Sequence, residues 1–426
     1  MSIMTKASAV RSRSLKASIA TGAVLASVAL VLGGCSTPGT GGDGGGKKDL
    51  ALKIGTALPQ TGNLAFLGPP EEAGVAYAVS QINDATADSG LSLDVVYGDS
   101  GDTDNKAYET EIPRLLGEKV SAIIGAASSG TSLQFIDSVV GAGVIQFSPA
   151  NTSDAFSTYD DDGLYFRTAP SDVLQGQVLG NLIAEDGNQT LGLIVLNDSY
   201  GTGLAKYVTE AFEAAGGEVV AAPTYNTGDT VFTTQLAEVL AADPDAIALI
   251  TFDEVSTILP GLFGKFPSDK LYFVDGNLKN FGEDLPAGSL TGSKGTLPGL
   301  TIDSIGDFTG ALDDFLEAEG TDPLEDYSYA AESFDATVLI ALASLAAGST
   351  DGKEIAAKLQ EVSGGSGDGE KCTSYADCAK IIVGGGVADY DGISGPITFD
   401  EVGDPTEASI GIYQYGEDNN YSAYEG

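Results

Sequence analysis

Hydroxyl groups and free backbone N–H groups come together in the segment Ser128-Ser129-Gly130-Thr131, where a predicted strand leads into a predicted helix. The first N–H groups of a helix have no intrahelical acceptor, and the helix dipole favours negative charge at the same end. This segment therefore has the chemistry to hold an anion such as a carboxylate. The alternative is that these Ser and Thr residues are ordinary N-caps.

The residue types that the chain lacks exclude most catalytic chemistry. Among 426 residues there is no His, no Trp and only three Cys. Ser-His-Asp and Cys-His nucleophiles both need an imidazole base, and His-containing or Cys₄ zinc sites cannot be formed. Enzymes built on carboxylates, Lys or Tyr remain a minor alternative. We expect no catalytic residues, no cofactor and no metal.

The balance of charge excludes another class of partner. Lys and Arg number 20 against 61 Asp and Glu, a formal net charge of −41. A phosphate backbone would be repelled by this charge, so we expect no nucleic-acid binding. Hydrophobic residues make up 42% and charged residues 19%, which is typical of a globular protein, and the length predicts two domains.

The N-terminus has the pattern of an export signal followed by a tether. Four basic residues precede an apolar run over residues 17–31, which is short for a membrane span and ends in Leu32-Gly33-Gly34-Cys35. This ending resembles the lipobox of bacterial lipoproteins. The resemblance implies that residues 1–34 are a signal peptide and that Cys35 carries the lipid anchor; the alternative is an ordinary signal peptide with a chance Cys. The Gly-rich residues 35–48 then form a flexible tether.

The other two cysteines, Cys372 and Cys378, are separated by five residues in a polar, Gly-rich stretch. Outside the cytoplasm a disulfide is the expected state of such a pair. Closing so short a loop stabilises a fold by about 2 kcal/mol at best, so we interpret the pair as a local staple. The alternative is two free thiols.

Short apolar runs alternate with longer amphipathic runs from residue 49 onward, which predicts parallel sheets covered by helices on both faces. The pattern restarts after residues 167–170, and two such blocks predict two lobes with a cleft between them. We predict strands over residues 52–58, 91–97, 120–124, 144–147, 191–196, 218–222, 246–251 and 271–274. We predict helices over residues 71–82, 105–118, 132–140, 173–184, 204–214, 232–240, 254–263, 308–319 and 328–346.

The C-terminal third is too short for a third lobe and must complete the first two. We predict hairpin strands over residues 397–399 and 410–414, and chain crossings near residues 167–170, 296–303 and 391–396. Lobe 1 would then contain residues 49–168 and 302–390, and lobe 2 would contain residues 169–301 and 391–426. The fold class is α/β, with two doubly wound parallel-sheet lobes joined by a three-segment hinge.

Ligands of open parallel sheets bind beyond the carboxyl ends of the strands, next to the helix N-termini. In this chain the rule selects loops over residues 60–68, 126–131, 148–152, 197–201, 252–254 and 275–277.

Several short motifs lie at these loops, and although each is weak alone, their order and spacing along the chain are specific. They are Ile54-Gly55, Pro59-Gln60-Thr61-Gly62 with Gly68, Ile124-Gly125 followed by Ser128-Ser129, Ser148-Pro149-Ala150-Asn151-Thr152, Asp198-Ser199-Tyr200-Gly201 and Gly395-Pro396-Ile397-Thr398-Phe399-Asp400. Together they resemble the branched-chain amino-acid-binding family of ABC-transporter solute receptors, which are type I periplasmic binding proteins. The resemblance runs from about Lys53 to the C-terminal hairpin.

This resemblance implies a site for the α-carboxylate of an amino acid in the first lobe. The carboxylate would meet Ser129, the backbone of Ala150 and the hydroxyl of Thr152. Helix N-termini and hydroxyl groups suit a carboxylate, so the chemistry of these residues agrees with the implied role.

The resemblance places the α-ammonium group against Asp275, the acid that follows the strand 271–274. Tyr200 of the second lobe would close over the ligand, while Leu67 and Phe252 would line the pocket for its side chain. Relatives specific for aliphatic amino acids often have Glu where this chain has the shorter Asp275. The neighbouring loop offers Glu254 as an alternative partner for the ammonium group.

The implied function is an extracytoplasmic lipoprotein, anchored to a bacterial membrane by its lipid alone. It would act as a monomer that captures an amino acid and delivers it to the subunits of an ABC permease. One alternative is a ligand-sensing receptor with the same cleft, and others are ligands such as urea, short amides or aromatic acids, because fold alone does not determine the ligand.

Overall fold

The computed structural model describes residues 49–424, in which two sheets each have their own helices. The predicted signal peptide, Cys35 and the predicted tether lie outside the described residues. We call each sheet, with the helices packed on it, a lobe.

The sheet of the first lobe is entirely parallel and has the strand order β2-β1-β3-β4-β5. Its strands are β1 (Leu50–Ala57), β2 (Leu91–Val96), β3 (Ala122–Gly125), β4 (Ile145–Ser148) and β5 (Tyr165–Arg167). The helices between them are α1 (Gly68–Asp84), α2 (Thr86–Ser89), α3 (Tyr108–Gly117) and α4 (Ser129–Gly141). Strands β3 and β4 are buried along their whole length, as expected for parallel strands covered on both faces.

The sheet of the second lobe has the order β15-β14-β11-β10-β9-β6-β7, with β8 also paired to β6. Its central part contains α5 (Asp172–Glu185), β6 (Thr190–Leu196), α6 (Ser199–Ala214), β7 (Glu218–Ala221), β8 (Thr224–Tyr225), α7 (Thr233–Ala241), β9 (Ala246–Ile250), α8 (Val255–Leu262), β10 (Leu271–Phe273) and β11 (Lys294–Pro298). Its antiparallel pairings are those of β14 with β11 and with β15, at one edge.

The C-terminal third serves both lobes. Its elements are α9 (Gly306–Glu319), α10 (Ala330–Ala347), α11 (Gly352–Val362), β12 (Glu370–Cys372), α12 (Tyr375–Val383), β13 (Ala388–Tyr390), β14 (Ile410–Tyr415) and β15 (Tyr421–Ala423). Helices α9 to α12 contribute to the core of the first lobe. By length and composition α10 could cross a membrane, but 83% of it is buried inside the protein, which marks it as a core helix.

The sequence prediction missed α11, α12, β12, β13 and β15, and two of its predicted segments differ from the structure. Residues 397–399 form no strand and make only an isolated bridge between Phe399 and Pro405. The ring of Phe399 packs against Phe147 and Phe166 of the first lobe, with ring centroids 5.8 and 5.4 Å away, so this segment fills the core instead of joining a ladder. The second difference is β11, which overlaps residues 296–303, the segment predicted to cross between the lobes.

The chain passes between the lobes three times. The first passage follows β5, the second follows β11, and the third lies between Phe399 and β14. Ile397 and Phe399 pack in the first core, although the sequence analysis assigns them to lobe 2. The structure also joins Cys372 and Cys378 by a disulfide between β12 and α12, with the Cα atoms 5.4 Å apart.

Candidate functional site

A small cavity with about 10 Å³ of free space lies between the lobes, where loops from the carboxyl ends of both sheets meet. Its lining consists of Leu64, Leu67, Ala127, Ser128, Ser129, Ala150, Tyr200, Phe252, Asp275, Gly276 and Tyr329. Six of the seven residues predicted to bind a ligand are among them. The seventh, Thr152, is buried close by but is not part of the lining.

The lobes are closed around this cavity. Leu64, Leu67, Ala150 and Tyr329 of the first lobe belong to the same apolar cluster as the core of the second lobe. A larger groove of about 450 Å³ beside α1 is open to solvent and lies away from most of the loops selected by the strand-end rule. The interlobe cavity is the better candidate because apolar walls and a few convergent polar groups are typical of small-molecule sites.

Ser128 and Ser129 have different roles at the start of α4. The Ser128 hydroxyl accepts a hydrogen bond from the Thr131 N–H at 3.2 Å, so Ser128 is the N-cap. The Ser129 hydroxyl accepts from the Ser153 N–H at 3.3 Å, which leaves its own proton free to be donated. The N–H groups of Ser129 and Gly130, in the first helical turn, have no intrahelical acceptor. This end of the cavity can therefore donate several hydrogen bonds to a carboxylate.

The loop after β4 adds further groups to this end. The Ala150 N–H donates to Ser148 Oγ at 3.2 Å, so a ligand carboxylate would have to share this donor. The Thr152 hydroxyl and the Asp172 carboxylate are both buried, and the hydrogen bond between them opposes the rise in the pKa of Asp172 that burial causes. The Asp172 N–H donates to the Thr152 carbonyl at 2.7 Å. Thr152 does not line the cavity, so a ligand would reach its hydroxyl only in competition with Asp172.

Asp275 also lines the cavity and is buried. Its Oδ1 accepts from the Tyr200 hydroxyl at 2.7 Å and from Gln175 Nε2 at 2.9 Å. Its Oδ2 accepts from the hydroxyl of Tyr329, a first-lobe residue, at 2.8 Å. Burial raises the pKa of Asp275, and the hydrogen bonds from Tyr200, Gln175 and Tyr329 oppose that rise. These donors hold the carboxylate in one orientation.

Glu254, the alternative acid, is engaged elsewhere. Its carboxylate accepts from Asn63 Nδ2 at 2.7 Å, from the Tyr225 hydroxyl at 3.2 Å and from the Phe252 N–H at 3.1 Å. It does not line the cavity, whereas Asp275 does. The geometry therefore favours Asp275 for contact with a cationic group.

The electrostatics of the cavity favour a ligand with a cationic end. No Lys or Arg lines it. Burial raises the pKa of Asp172 well above its ordinary value, and repulsion from Asp275 adds to the rise. Arg167, the nearby buried cation, is paired with Asp404 at 2.6 Å. Within residues 49–424, no group of three or more Cys, Asp or Glu is placed to hold a metal ion.

Apolar and aromatic side chains form the remaining walls. Tyr200 stacks on Phe252 with ring centroids 5.2 Å apart, and Leu64 and Leu67 face them from the first lobe. Sequence reasoning missed Leu64 and Tyr329. Leu64 lies in a selected loop and could have been included, but Tyr329 precedes α10, far from any selected loop, and had no local signal. That these residues bind a ligand stays a prediction.

Comparisons with known proteins agree with this architecture. The family model described as periplasmic binding protein matches residues 51–373. A leucine-, isoleucine-, valine-, threonine- and alanine-binding protein of Pseudomonas aeruginosa is 30% identical over 193 residues, covering 45% of this chain and 51% of that relative. The match thus spans only about half the length of that relative.

Two other relatives match over most of the chain. A chemotactic signal transduction system substrate-binding protein, BasB, of Halobacterium salinarum is 23% identical, covering 81% of this chain and 83% of its own length. The branched-chain amino acid transporter substrate binding protein LivJ of Streptococcus pneumoniae, solved in complex with isoleucine, superposes with a TM-score of 0.68 at 22% identity, covering 88% of this chain and 100% of LivJ. The relatives are named as binding proteins, not as enzymes. The chain therefore belongs to the periplasmic binding protein family, and it shares the type I fold of the branched-chain amino-acid-binding proteins.

Proposed function

We propose that this protein captures an α-amino acid between its lobes and delivers it to an ABC permease, acting as a monomer outside the cytoplasm. One observation carries the proposal: hydrogen-bond donors at the start of α4 and the carboxylate of Asp275 line the same small cavity. This arrangement matches the two charged groups of an amino acid.

The walls of the cavity support an apolar or small side chain on the ligand. Leu64, Leu67 and Phe252 offer it apolar surface. The cavity has only about 10 Å³ of free space in this closed form, so a bound amino acid would have to push its lining side chains apart. The Pseudomonas relative is named for binding five amino acids of this kind, and LivJ was solved with isoleucine. We therefore propose leucine, isoleucine, valine, alanine or threonine as the first ligands to test.

A thermal-shift screen tests the proposal directly. The panel is these five L-amino acids, urea, acetamide and benzoate, followed by calorimetry of every compound that stabilises the protein. A ligand present at a hundred times its Kd should stabilise the fold by about 2.7 kcal/mol. The bound compound should be recovered unchanged. Stabilisation by benzoate, urea or acetamide alone would contradict the amino-acid assignment, and turnover detected by mass spectrometry would contradict a binding role.

A sensing receptor is the second candidate function, because the Halobacterium relative is named for a chemotactic signalling system and matches most of the chain. Both functions would use the same cleft. They differ in the protein that recognises the closed form, which is an ABC permease for transport and a signalling protein for sensing. Genes for a permease beside that of this protein would support transport, and uptake of labelled leucine that stops when the gene is deleted would establish it.

Membrane attachment should depend on Cys35, because the proposed anchor is a lipid on that residue and the lipobox-like Leu32-Gly33-Gly34-Cys35 is its only signal. We expect Cys35→Ser to move the protein from the membrane fraction to the soluble fraction of cells. Ser36→Ala is the matched control and should stay with the membrane. Retention of Cys35→Ser after a high-salt wash would contradict the lipid anchor.

Thr152→Val should weaken amino-acid binding moderately, because the ligand carboxylate would lose one hydrogen bond and keep others. The loss of about 1–3 kcal/mol corresponds to about 5- to 150-fold in Kd. Calorimetry with the tightest-binding amino acid of the screen measures it. Thr158→Val, an exposed position of the same segment, is the control and should bind like the parent. Unchanged binding by Thr152→Val would remove this hydroxyl from the site.

A further inference from the structure

The loop over residues 60–68 belongs to the first lobe and supplies Leu64 and Leu67 to the cavity. Asp99 fixes its start by accepting hydrogen bonds from the N–H groups of Gln60 and Thr61 at 3.1 and 3.2 Å. Its middle is fixed by Asp102, which accepts from the Asn63 N–H at 3.0 Å. The loop is thus held rigidly on its own lobe.

The same loop is also bonded to the second lobe, through Asn63. The side-chain amide of Asn63 donates to Glu254 Oε1 at 2.7 Å. The backbone carbonyl of Asn63 accepts from the Asp253 N–H at 3.2 Å. Three residues further on, the ring of Phe66 lies 5.7 Å from the ammonium group of Lys279, which pairs with Asp253. These are contacts between lobes that exist only while the cleft is closed.

Glu254 is prepared for this contact by its own lobe. The Tyr225 hydroxyl and the Phe252 N–H donate to Oε2, which turns Oε1 towards Asn63. Glu254 is only 8% exposed and Asn63 is half-buried, so their hydrogen bond is partly shielded from water. Hydrogen bonds to a charged group contribute more than those between neutral groups. Neither Asn63 nor Glu254 lines the cavity, so neither can select among ligands by direct contact.

We propose that Asn63 and Glu254 form a closure latch, a positioning pair that holds the lobes together over a bound solute and slows its release. This inference rests on the proposed function. A bond present in the closed form and absent from the open form shifts the equilibrium towards closure, and the apparent affinity rises with the closed population. The latch therefore acts on every ligand alike, whereas Asp275 acts on the ammonium group.

The first test compares Asn63→Ala with Gln60→Ala, using L-leucine as the probe. Gln60 lies on the same loop, and its Nε2 donates to Glu72 Oε1 at the same distance of 2.7 Å, but within one lobe. We expect Asn63→Ala to weaken leucine binding about 10- to 100-fold, mainly through faster dissociation in stopped-flow measurements. Its relative preference for leucine, isoleucine and valine should not change. Gln60→Ala should stay within about twofold of the parent, as expected for a solvated contact.

The second test exchanges the donor and the acceptor. Asn63→Asp alone places two carboxylates face to face and should weaken leucine binding at least as much as Asn63→Ala. In the double variant Asn63→Asp with Glu254→Gln, the Gln amide can donate to the Asp while its oxygen still accepts from Tyr225 and Phe252. We expect this exchange to restore most of the affinity. A double variant that binds no better than Asn63→Asp would overturn the latch, because the loss would then reflect general damage to the loop.

Small-angle X-ray scattering of the protein without added solute separates the latch from the proposed function. Loss of the latch should shift the population towards open lobes, so Asn63→Ala should have a larger radius of gyration than the parent and Gln60→Ala should not. If the parent binds none of the amino acids and Asn63→Ala still expands, the proposed function fails and the latch stands. If Asn63→Ala changes neither the scattering nor the leucine affinity, the latch is wrong.

Discussion

Asp275→Asn should weaken amino-acid binding by about a hundred- to several-thousand-fold. Removing one partner of a buried, hydrogen-bonded ion pair costs about 3–5 kcal/mol, and each tenfold change in Kd corresponds to about 1.4 kcal/mol. The Asn side chain keeps the shape of Asp275 but has no charge for the ammonium group. It also presents an NH₂ group where Asp275 accepts from Tyr200, Gln175 or Tyr329. Calorimetric titration with the tightest-binding amino acid measures the loss.

The pH dependence of binding provides a second measurement on the same residue. Because burial raises the pKa of Asp275, part of its carboxyl is neutral at a pH where an exposed Asp is fully ionised. Binding of an ammonium group requires the ionised form, so affinity should fall as the pH is lowered through the raised pKa. Asp275→Asn should lose this dependence. The exposed control Glu283→Gln should bind like the parent, and an Asp275→Asn variant that binds as tightly as the parent would move the ammonium site elsewhere.

Asp404→Ala should lower the free energy of unfolding by about 3–5 kcal/mol, because it leaves the buried guanidinium of Arg167 without its counter-ion. Arg167 Nε and Nη2 donate to the two oxygens of Asp404 at 2.6 and 2.8 Å. A further bond, from Nη1 to the Ser153 carbonyl at 2.8 Å, ties the pair to the loop after β4. Side-chain exposure is 0% for Arg167 and 15% for Asp404, so water cannot replace the lost partner.

Urea denaturation followed by circular dichroism measures this effect, with the slope of the transition checked against the parent. The control is Asp377→Ala, which breaks an exposed ion pair with Lys380 and should leave the midpoint unchanged within error. Replacing both Arg167 and Asp404 by Met and Leu should recover part of the loss, since no buried charge remains. A midpoint for Asp404→Ala equal to that of the parent would contradict the assigned role.

The sequence predicts the central elements of both lobes well because their periodicity is strong. Buried runs such as 122–125 and 246–250 are short, apolar and β-branched, and the amphipathic helices between them leave few alternatives. The segment 397–399 has the same local composition and is not a strand. Its apolar side chains pack in the core, and hydrophobic periodicity cannot distinguish a buried strand from a buried irregular segment.

The sequence likewise predicts some features of the candidate site and not others. The strand-end rule selects the loops of Ser129, Ala150, Tyr200, Phe252 and Asp275 from sequence order alone. It cannot rank Asp275 above Glu254, because both acids follow strands directly. The difference depends on the side chains that fold against each acid, and these come from distant positions such as Asn63. Tyr329 lay beyond prediction for the same reason.

Helix α10 has a consequence for how the chain leaves the cell. An exported protein crosses the membrane unfolded, and at that stage a long apolar segment such as α10 competes between lateral insertion into lipid and passage through the channel. Glu332 and Asp335 oppose insertion, because carboxylates are among the side chains least tolerated in hydrocarbon. After folding, Asp335 is buried and accepts hydrogen bonds from Tyr390, Ile393 and Ser394. In an unfolded chain these two acids therefore make insertion of this apolar stretch into lipid less favourable, and in the folded protein both are buried.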